Sequence, residues 1–121
     1  MFRLLRSLFK KEPPPWRIKV NRGIIVAQDP SGNQQQISYD DITAIRIETN
    51  DLGPLENDIW WILSDANGEA LRFPQGIVGD NTVIDELKNF KGFNFTEMTK
   101  AMVSTENATF SIWQKEEVPS P

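Results

Sequence analysis

The stretch 58-DIWWILSDANGEALRFP-74 carries the strongest fold signal in the chain. Asn67-Gly68 is typical of a type I′ hairpin turn, and runs rich in large apolar residues flank it on both sides. Pairing across that turn predicts two faces, one with Trp60, Ile62, Leu71 and Phe73 and the other with Trp61, Leu63, Ala70 and Arg72. Because both faces would carry large apolar groups, we expect later helices or a partner to cover the second face.

Short strands separated by turns are predicted before this hairpin. WRIKV at 16–20 alternates apolar and basic residues, and GIIVAQ follows it after the turn NRG. DPSG at 29–32 has the composition of a type I turn, with aspartate first, proline second and glycine fourth. NQQQISY and DDITAIRIET then predict two further strands, so this half of the chain is expected to form an antiparallel meander.

Two helices and a last strand are predicted after the hairpin. The apolar spacing of 82–90 predicts a helix that ends in a basic turn with Gly92 as its C′ residue. Asn94 and Glu97 have the spacing of a capping box for a second helix, which would run to about Val103. ATFSIWQ at 108–114 predicts a strand. The sequence therefore predicts one globular α+β domain over 16–115 and a flexible tail over 116–121.

Two family resemblances accompany these patterns. The order WRIKVNRGIIV, QQISYDDITAIRI, hairpin and helix resembles the bacterial pleckstrin-homology-like domains, and ISYDDITAI at 37–45 carries most of the likeness. The resemblance implies a strongly bent antiparallel sheet closed by a helix over 16–90. The second helix and the strand after it depart from that plan. The block 58–93 also resembles a family of small uncharacterised bacterial proteins.

The opening residues, MFRLLRSLFKK, predict a short basic amphipathic helix over 1–12. Its apolar residues fall on one side of a helical projection and its basic residues on the other. Prolines at 13–15 end the helix and form a stiff spacer. The residues expected to contact a membrane or a partner are Phe2, Arg3, Leu5, Arg6, Leu8, Phe9 and Lys10. Packing of the apolar stripe against the chain's own domain is the alternative.

This opening is not typical of a secretion signal or of a membrane-spanning helix. Arg3 and Arg6 interrupt the apolar run that a signal requires, and charged residues follow it where a cleavage site would need small ones. The chain also contains no run of about 20 apolar residues. We therefore expect a cytoplasmic protein, located at the inner face of the membrane if the helix binds there.

Charge and composition narrow the classes of function. Four of the 13 basic residues lie in the first eleven positions, which leaves nine against 17 acidic residues, a net charge of −8 for the remainder. Nucleic acid is a poor match for so acidic a body. The chain has no cysteine and no histidine, which removes thiolate and imidazole catalysis and ordinary zinc sites. We therefore predict no enzymatic activity and no cofactor.

Several polar groups are candidate sites, each with a simpler structural interpretation. Asp40 and Asp41 are adjacent acids that suit a turn. The loop acids Asp51, Glu56 and Asp58 offer oxygen ligands for calcium, but solvated loop acids explain them as well. The loop 74–81 has two glycines before a helix, where backbone amides can hold a phosphate, although it matches no known phosphate-binding spacing.

Two further groups complete the candidates. The basic residues Arg17, Lys19 and Arg22 of the first hairpin occupy positions where pleckstrin-like domains often hold lipid headgroups. Trp61 and Trp113 are candidate interface residues, with burial in the core as the alternative.

The sequence thus predicts a non-enzymatic interaction module. The N-terminal helix would attach it to an anionic membrane surface or to a protein partner. The alternative is an acidic inhibitor or immunity-type protein that binds a basic partner through charge complementarity. A carboxylate enzyme is the least favoured reading, and the oligomeric state stays open.

Overall fold

A computed structural model describes residues 15–53 and 58–116, which form two antiparallel sheets and two helices. The predicted α+β class is confirmed. The helix predicted over 1–12 lies outside the described residues, together with most of the predicted spacer and tail. Within the described ranges, neither helix is long and apolar enough to span a bilayer.

The first sheet contains three strands in sequence order, β1 (Arg17–Asn21), β2 (Ile24–Gln28) and β3 (Gln34–Ser38). Arg22 and Gly23 connect β1 to β2 with φ values of 53° and 78°, as a type I′ turn requires. Asp29 and Gly32 close the next turn through a 2.9 Å backbone hydrogen bond. The turn predicted at 29–32 is therefore confirmed.

The second sheet contains four strands in the order β6-β5-β4-β7. These are β4 (Ala44–Thr49), β5 (Ile59–Asp65), β6 (Gly68–Pro74) and β7 (Ala108–Gln114). A 3₁₀ turn, Tyr39–Asp41, links β3 to β4. The neighbours of β4 are β5 and β7, and β3 belongs to the other sheet. The meander predicted for the first half is therefore divided between two sheets.

The central hairpin differs from the prediction by one position. Asp65 pairs with Gly68, so the centre of the turn is Ala66 and Asn67. Gly68 has a positive φ of 117°, but Asn67 does not. A bulge next to Leu63 then shifts the pairing. The predicted face assignment is wrong because Trp61, Leu63, Leu71 and Phe73 share the core face, whereas Trp60, Ile62 and Arg72 share the outer face.

The two helices are α1 (Asp80–Leu87) and α2 (Phe95–Met102). Helix α1 begins two residues before the predicted start and ends three residues before Phe90, so the prediction of Gly92 as its C′ residue is wrong. Helix α2 begins as predicted, because the Asn94 side chain accepts a 2.9 Å hydrogen bond from the backbone N–H of Glu97. The other half of the capping box is absent. The Glu97 carboxylate accepts from Lys100, and the Asn94 N–H donates to Ile112.

The core lies between the inner faces of the two sheets and the two helices. The Trp61 ring stacks between Phe73 and Phe93, with a centroid separation of 6.4 Å on each side. The most deeply buried large side chains around it are Ile25, Ile45, Ile47, Leu63, Leu71, Leu87 and Ile112. No helix covers the outer face of β5 within the described residues. Ile62 is nevertheless fully buried there, and its cross-strand neighbours are Arg46 and Arg72. Arginine side chains can cover apolar surface with their aliphatic stems.

Candidate functional site

A groove of about 680 Å³ opens between the two helices and the loop 75–81, and we call it the helix groove. Its apolar lining comprises Trp61, Ile77, Val78, Ile84, Met98 and Met102. Gln75, Asp80, Asn81 and Lys88 supply its polar lining, together with backbone. Both methionines are only partly buried, and methionine adapts its shape to varied apolar ligands. The groove therefore offers an apolar side chain a place to pack against the methionines, beside a polar lining of similar extent.

Trp61 forms the floor of the helix groove. Its indole N–H donates a 2.9 Å hydrogen bond to the side-chain oxygen of Gln75. The amide nitrogen of Gln75 in turn donates to the sulfur of Met102 at 3.3 Å. Trp61, one of the two predicted candidate interface residues, has no exposed surface and belongs to the hydrophobic core.

The loop 75–81 is fixed against the first strand. Ile18 donates its backbone N–H to the carbonyl of Val78 at 2.9 Å, and Arg17 forms a parallel bridge with Val78. The buried carboxylate of Asp80 accepts from the N–H of Gly76 at 2.6 Å. The N–H of Gly76 is therefore already bonded to a carboxylate, which disfavours the phosphate interpretation of this loop.

A second surface is formed by the outward side of β1, β2 and β3, and we call it the basic sheet face. Arg17 and Lys19 lie on it and are exposed, and Arg22 lies at its hairpin turn. A shallow depression of about 390 Å³ runs across it, lined in part by Val26, Gln28, Gln34 and Val78. None of the fifteen residues of the three strands is acidic. The three strands thus carry two cations, Arg17 and Lys19, and no anion.

The outer face of the second sheet carries a compensated charge network. Arg72 binds both carboxylate oxygens of Glu69 at 2.9 Å, and Arg46 lies 3.6 Å from the same carboxylate. The hydrogen bonds from Arg72 lower the pKa of Glu69, and Glu69 raises the pKa of Arg72. Glu48 adds a second acid 3.6 Å from Arg72. Two cations and two anions neutralise each other here, so this face attracts neither charge strongly.

Trp113, the other candidate interface residue, is partly exposed. Its indole N–H donates to the carbonyl of Lys91 at 2.9 Å, and its ring meets the ring of Phe90 edge to face at 4.9 Å. These contacts hold β7 to the segment after α1. Its role at an interface stays a prediction.

The predicted acidic sites do not gather into a metal site among the described residues. Asp40 and Asp41 are exposed in the 3₁₀ turn, as the turn interpretation requires. Asp51 and Asp58 line a small depression of about 270 Å³, while Glu56 lies outside the described part of the chain. No set of three or more acidic side chains suited to a metal is present in 15–53 and 58–116.

The predicted contact residues of the opening segment, Phe2 through Lys10, also lie outside the described residues, and their role stays a prediction. The helix groove was not predicted from the sequence. The spacing of Met98 and Met102, one turn apart on α2, was the available signal, but the second wall comes from a helix and a loop distant in the chain.

Comparisons with protein-family models, with curated proteins and with solved structures found no match.

Proposed function

We propose that this chain is a non-enzymatic interaction module held at an anionic membrane surface by its opening segment, with the basic sheet face turned toward the same surface. One observation carries the proposal. The strands β1, β2 and β3 contain no acidic residue, although the chain as a whole has 17 acids against 13 bases.

The basic sheet face has the side chains that an anionic surface attracts. A lysine or arginine near such a surface contributes about 1 kcal/mol to binding at moderate salt. Arg17, Lys19 and Arg22 supply three such charges, and the opening segment supplies four more. Ile24 and Val78 are exposed by 40% and 62%, which adds apolar contact at the headgroup boundary.

The connection between the two elements supports their joint action. The opening segment enters the fold at Trp16, directly before Arg17 on the basic sheet face. A short amphipathic helix alone anchors weakly, and stable attachment generally requires a second signal. A basic face beside the point of attachment is a signal of that kind.

The resemblance to pleckstrin-homology-like domains favours the same surface, because it assigns headgroup contact to the cations of the first hairpin. That resemblance stays a prediction. The β4–β7 pairing is a further departure from the simple plan, since β7 follows both helices in the chain.

Vesicle sedimentation tests the proposal. We expect the full chain to sediment with vesicles of phosphatidylcholine and phosphatidylserine, and to remain in solution with phosphatidylcholine alone. Salt should release it, because the Debye length falls from about 30 Å at 0.01 M to about 3 Å at 1 M. Absence of sedimentation with the anionic vesicles at low salt would refute membrane attachment.

The acidic-inhibitor alternative depends on the net charge of the body. The compensated network of Arg46, Glu48, Glu69 and Arg72 argues against the outer face of the second sheet as a uniformly acidic docking surface. Tight capture of a basic protein, combined with no vesicle binding, would favour this alternative.

A further inference from the structure

We propose that the helix groove is the docking site of the chain's own opening segment when no membrane is present. The apolar stripe of residues 1–12 would then contact Met98 and Met102. This inference rests on the proposed function in one respect, since it assumes that the same stripe is the part that seeks the membrane.

The path of the chain brings the segment to the groove. The bridge between Arg17 and Val78 is parallel, so the residues before Arg17 run beside those before Val78. The residues before Val78 are Gly76 and Ile77, and both line the groove. The described chain therefore begins beside one wall of the groove, where the Trp16 ring meets the Trp60 ring edge to face at 5.7 Å.

The length of chain outside the structure is sufficient. Fourteen residues precede Pro15, the first described residue. The seven positions from Trp16 back to Phe9 can span at most about 23–25 Å when extended. A helix over 1–12 would be about 18 Å long. The segment can thus reach across the groove without any rearrangement of the domain.

The chemistry of the groove matches the stripe. Phe2, Leu5 and Phe9 recur at three- and four-residue intervals, as the anchors of a helix bound in a groove do. The partly exposed side chains of Met98 and Met102 offer an apolar counterpart of adaptable shape, supported from below by the buried Trp61. Lys88 lies in the lining, so apolar contact and not charge attraction selects this occupant.

Docking would also bring the basic side of the segment close to an acidic domain, which is electrostatically favourable. The segment's four cations would remain in solvent above a body whose net charge is −8. The short tether also raises the effective concentration of the stripe at the groove, compared with a partner that diffuses freely.

Docking has a regulatory consequence. One apolar stripe cannot occupy the groove and a membrane at the same time, so the two sites compete. Whatever weakens docking raises the apparent affinity for the membrane, by up to the same factor where the docked state predominates, because only the undocked fraction can bind. Docking in the groove would thereby raise the density of anionic lipid that the chain needs before it attaches to a membrane.

Methionine labelling gives a direct test. The three methionines are Met1, Met98 and Met102, so a spectrum of ¹³C-methyl-labelled full chain reports on both partners of the proposed contact. The chain has no native cysteine, and Ser7→Cys therefore accepts a single spin label. We expect the label to broaden the Met98 and Met102 signals, and anionic vesicles to abolish that broadening.

A full-length variant supplies the control. Leu5→Ser with Phe9→Ser retains every charge of the segment and should abolish the broadening. Met98→Gln should weaken docking and raise affinity for phosphatidylserine vesicles roughly fivefold or more. A second sample mixes a spin-labelled chain that has no ¹³C with a ¹³C-methyl-labelled chain that has no spin label. Broadening in this sample can come only from contact between two molecules.

The outcomes separate this inference from the proposed function. Absence of broadening in the full chain refutes docking, even if the chain still sediments with vesicles. Broadening without sedimentation leaves docking in place and refutes the membrane proposal. Broadening in the mixed sample as strong as in the doubly labelled chain assigns the groove to a second copy and overturns the intramolecular claim.

Discussion

Gly79 approaches the first strand so closely that a β-carbon on it would overlap the backbone carbonyl oxygen of Ile18 and lie 3.1 Å from the carbonyl carbon. The residue also has a φ of 91°, where side-chain-bearing residues are strained. This contact brings the loop 75–81 against β1 and so forms one wall of the helix groove beside the start of the domain.

Gly79→Ala is expected to destabilise the fold more than a glycine substitution in a similar conformation elsewhere. Gly92 is the matched control, because its φ is 93° and nothing lies within 4 Å of its added β-carbon. We expect Gly92→Ala to cost about 1–2 kcal/mol from backbone strain alone, and Gly79→Ala to cost at least about 1 kcal/mol more. Equal losses in urea unfolding would show that the loop does not pack tightly on β1.

Arg22→Asn is expected to stabilise the domain by about 0.5–1 kcal/mol, since asparagine suits the first position of a type I′ turn and Arg22 holds a positive φ there. Asn67→Ala is the contrasting variant. Asn67 has no positive φ in the described turn, so this change should cost less than about 0.5 kcal/mol. A loss above 1 kcal/mol at Asn67 would instead support a type I′ turn at Asn67-Gly68.

Asn94→Ala is expected to lower the free energy of unfolding by about 0.5–2 kcal/mol, because the N–H of Glu97 loses its acceptor at the start of α2. Glu97→Ala should cost less than about 0.5 kcal/mol, since the Glu97 carboxylate makes only an exposed bond to Lys100 and none to the N–H of Asn94. The two free energies can be measured side by side by denaturant unfolding. Similar losses would indicate a complete capping box.

Tyr39 is expected to ionise at unusually high pH, which absorbance at 295 nm can follow because it is the single tyrosine. Burial first, and then its hydrogen bond to Glu86, raise the pKa of the Tyr39 hydroxyl. A folded-state pKa above the unfolded value of about 10 means that this contribution to stability is complete below that pH and is lost as pH rises. Glu86→Gln should move the midpoint part of the way toward 10, and an unchanged midpoint would contradict the contribution assigned to Glu86.

Local sequence signals predicted most of the elements, because they depend on neighbours in the chain. Asp29 and Gly32 define their turn within four residues, and Asn94 defines the start of α2 in the same way. The face assignment of Trp61 failed for a different reason. A bulge beside Leu63 changes which side chains share a face, and a single extra residue reverses the pattern without altering composition.

The candidate surfaces were less predictable. The helix groove requires Val78, Ile84 and Met98 to meet, and nothing local in the sequence specifies that meeting. The basic sheet face could be predicted in part, since Arg17 and Lys19 alternate with Ile18 and Val20 in a strand pattern. Nothing local in the sequence specifies that β1, β2 and β3, whose residues include no acid, form a sheet of their own.

Charge removal on the basic sheet face tests the central claim most directly. Arg17→Gln with Lys19→Gln removes two exposed cations from that face, and Lys91→Gln with Lys115→Gln removes two exposed cations elsewhere at identical net charge. The measurement is the affinity of each full-length variant for phosphatidylserine-containing vesicles at moderate salt.

The account predicts that the first pair weakens binding about tenfold or more, since each cation contributes about 1 kcal/mol, whereas the second pair changes it less than about threefold. Equal effects of the two pairs would contradict the account, because binding would then follow net charge and not the face formed by β1, β2 and β3.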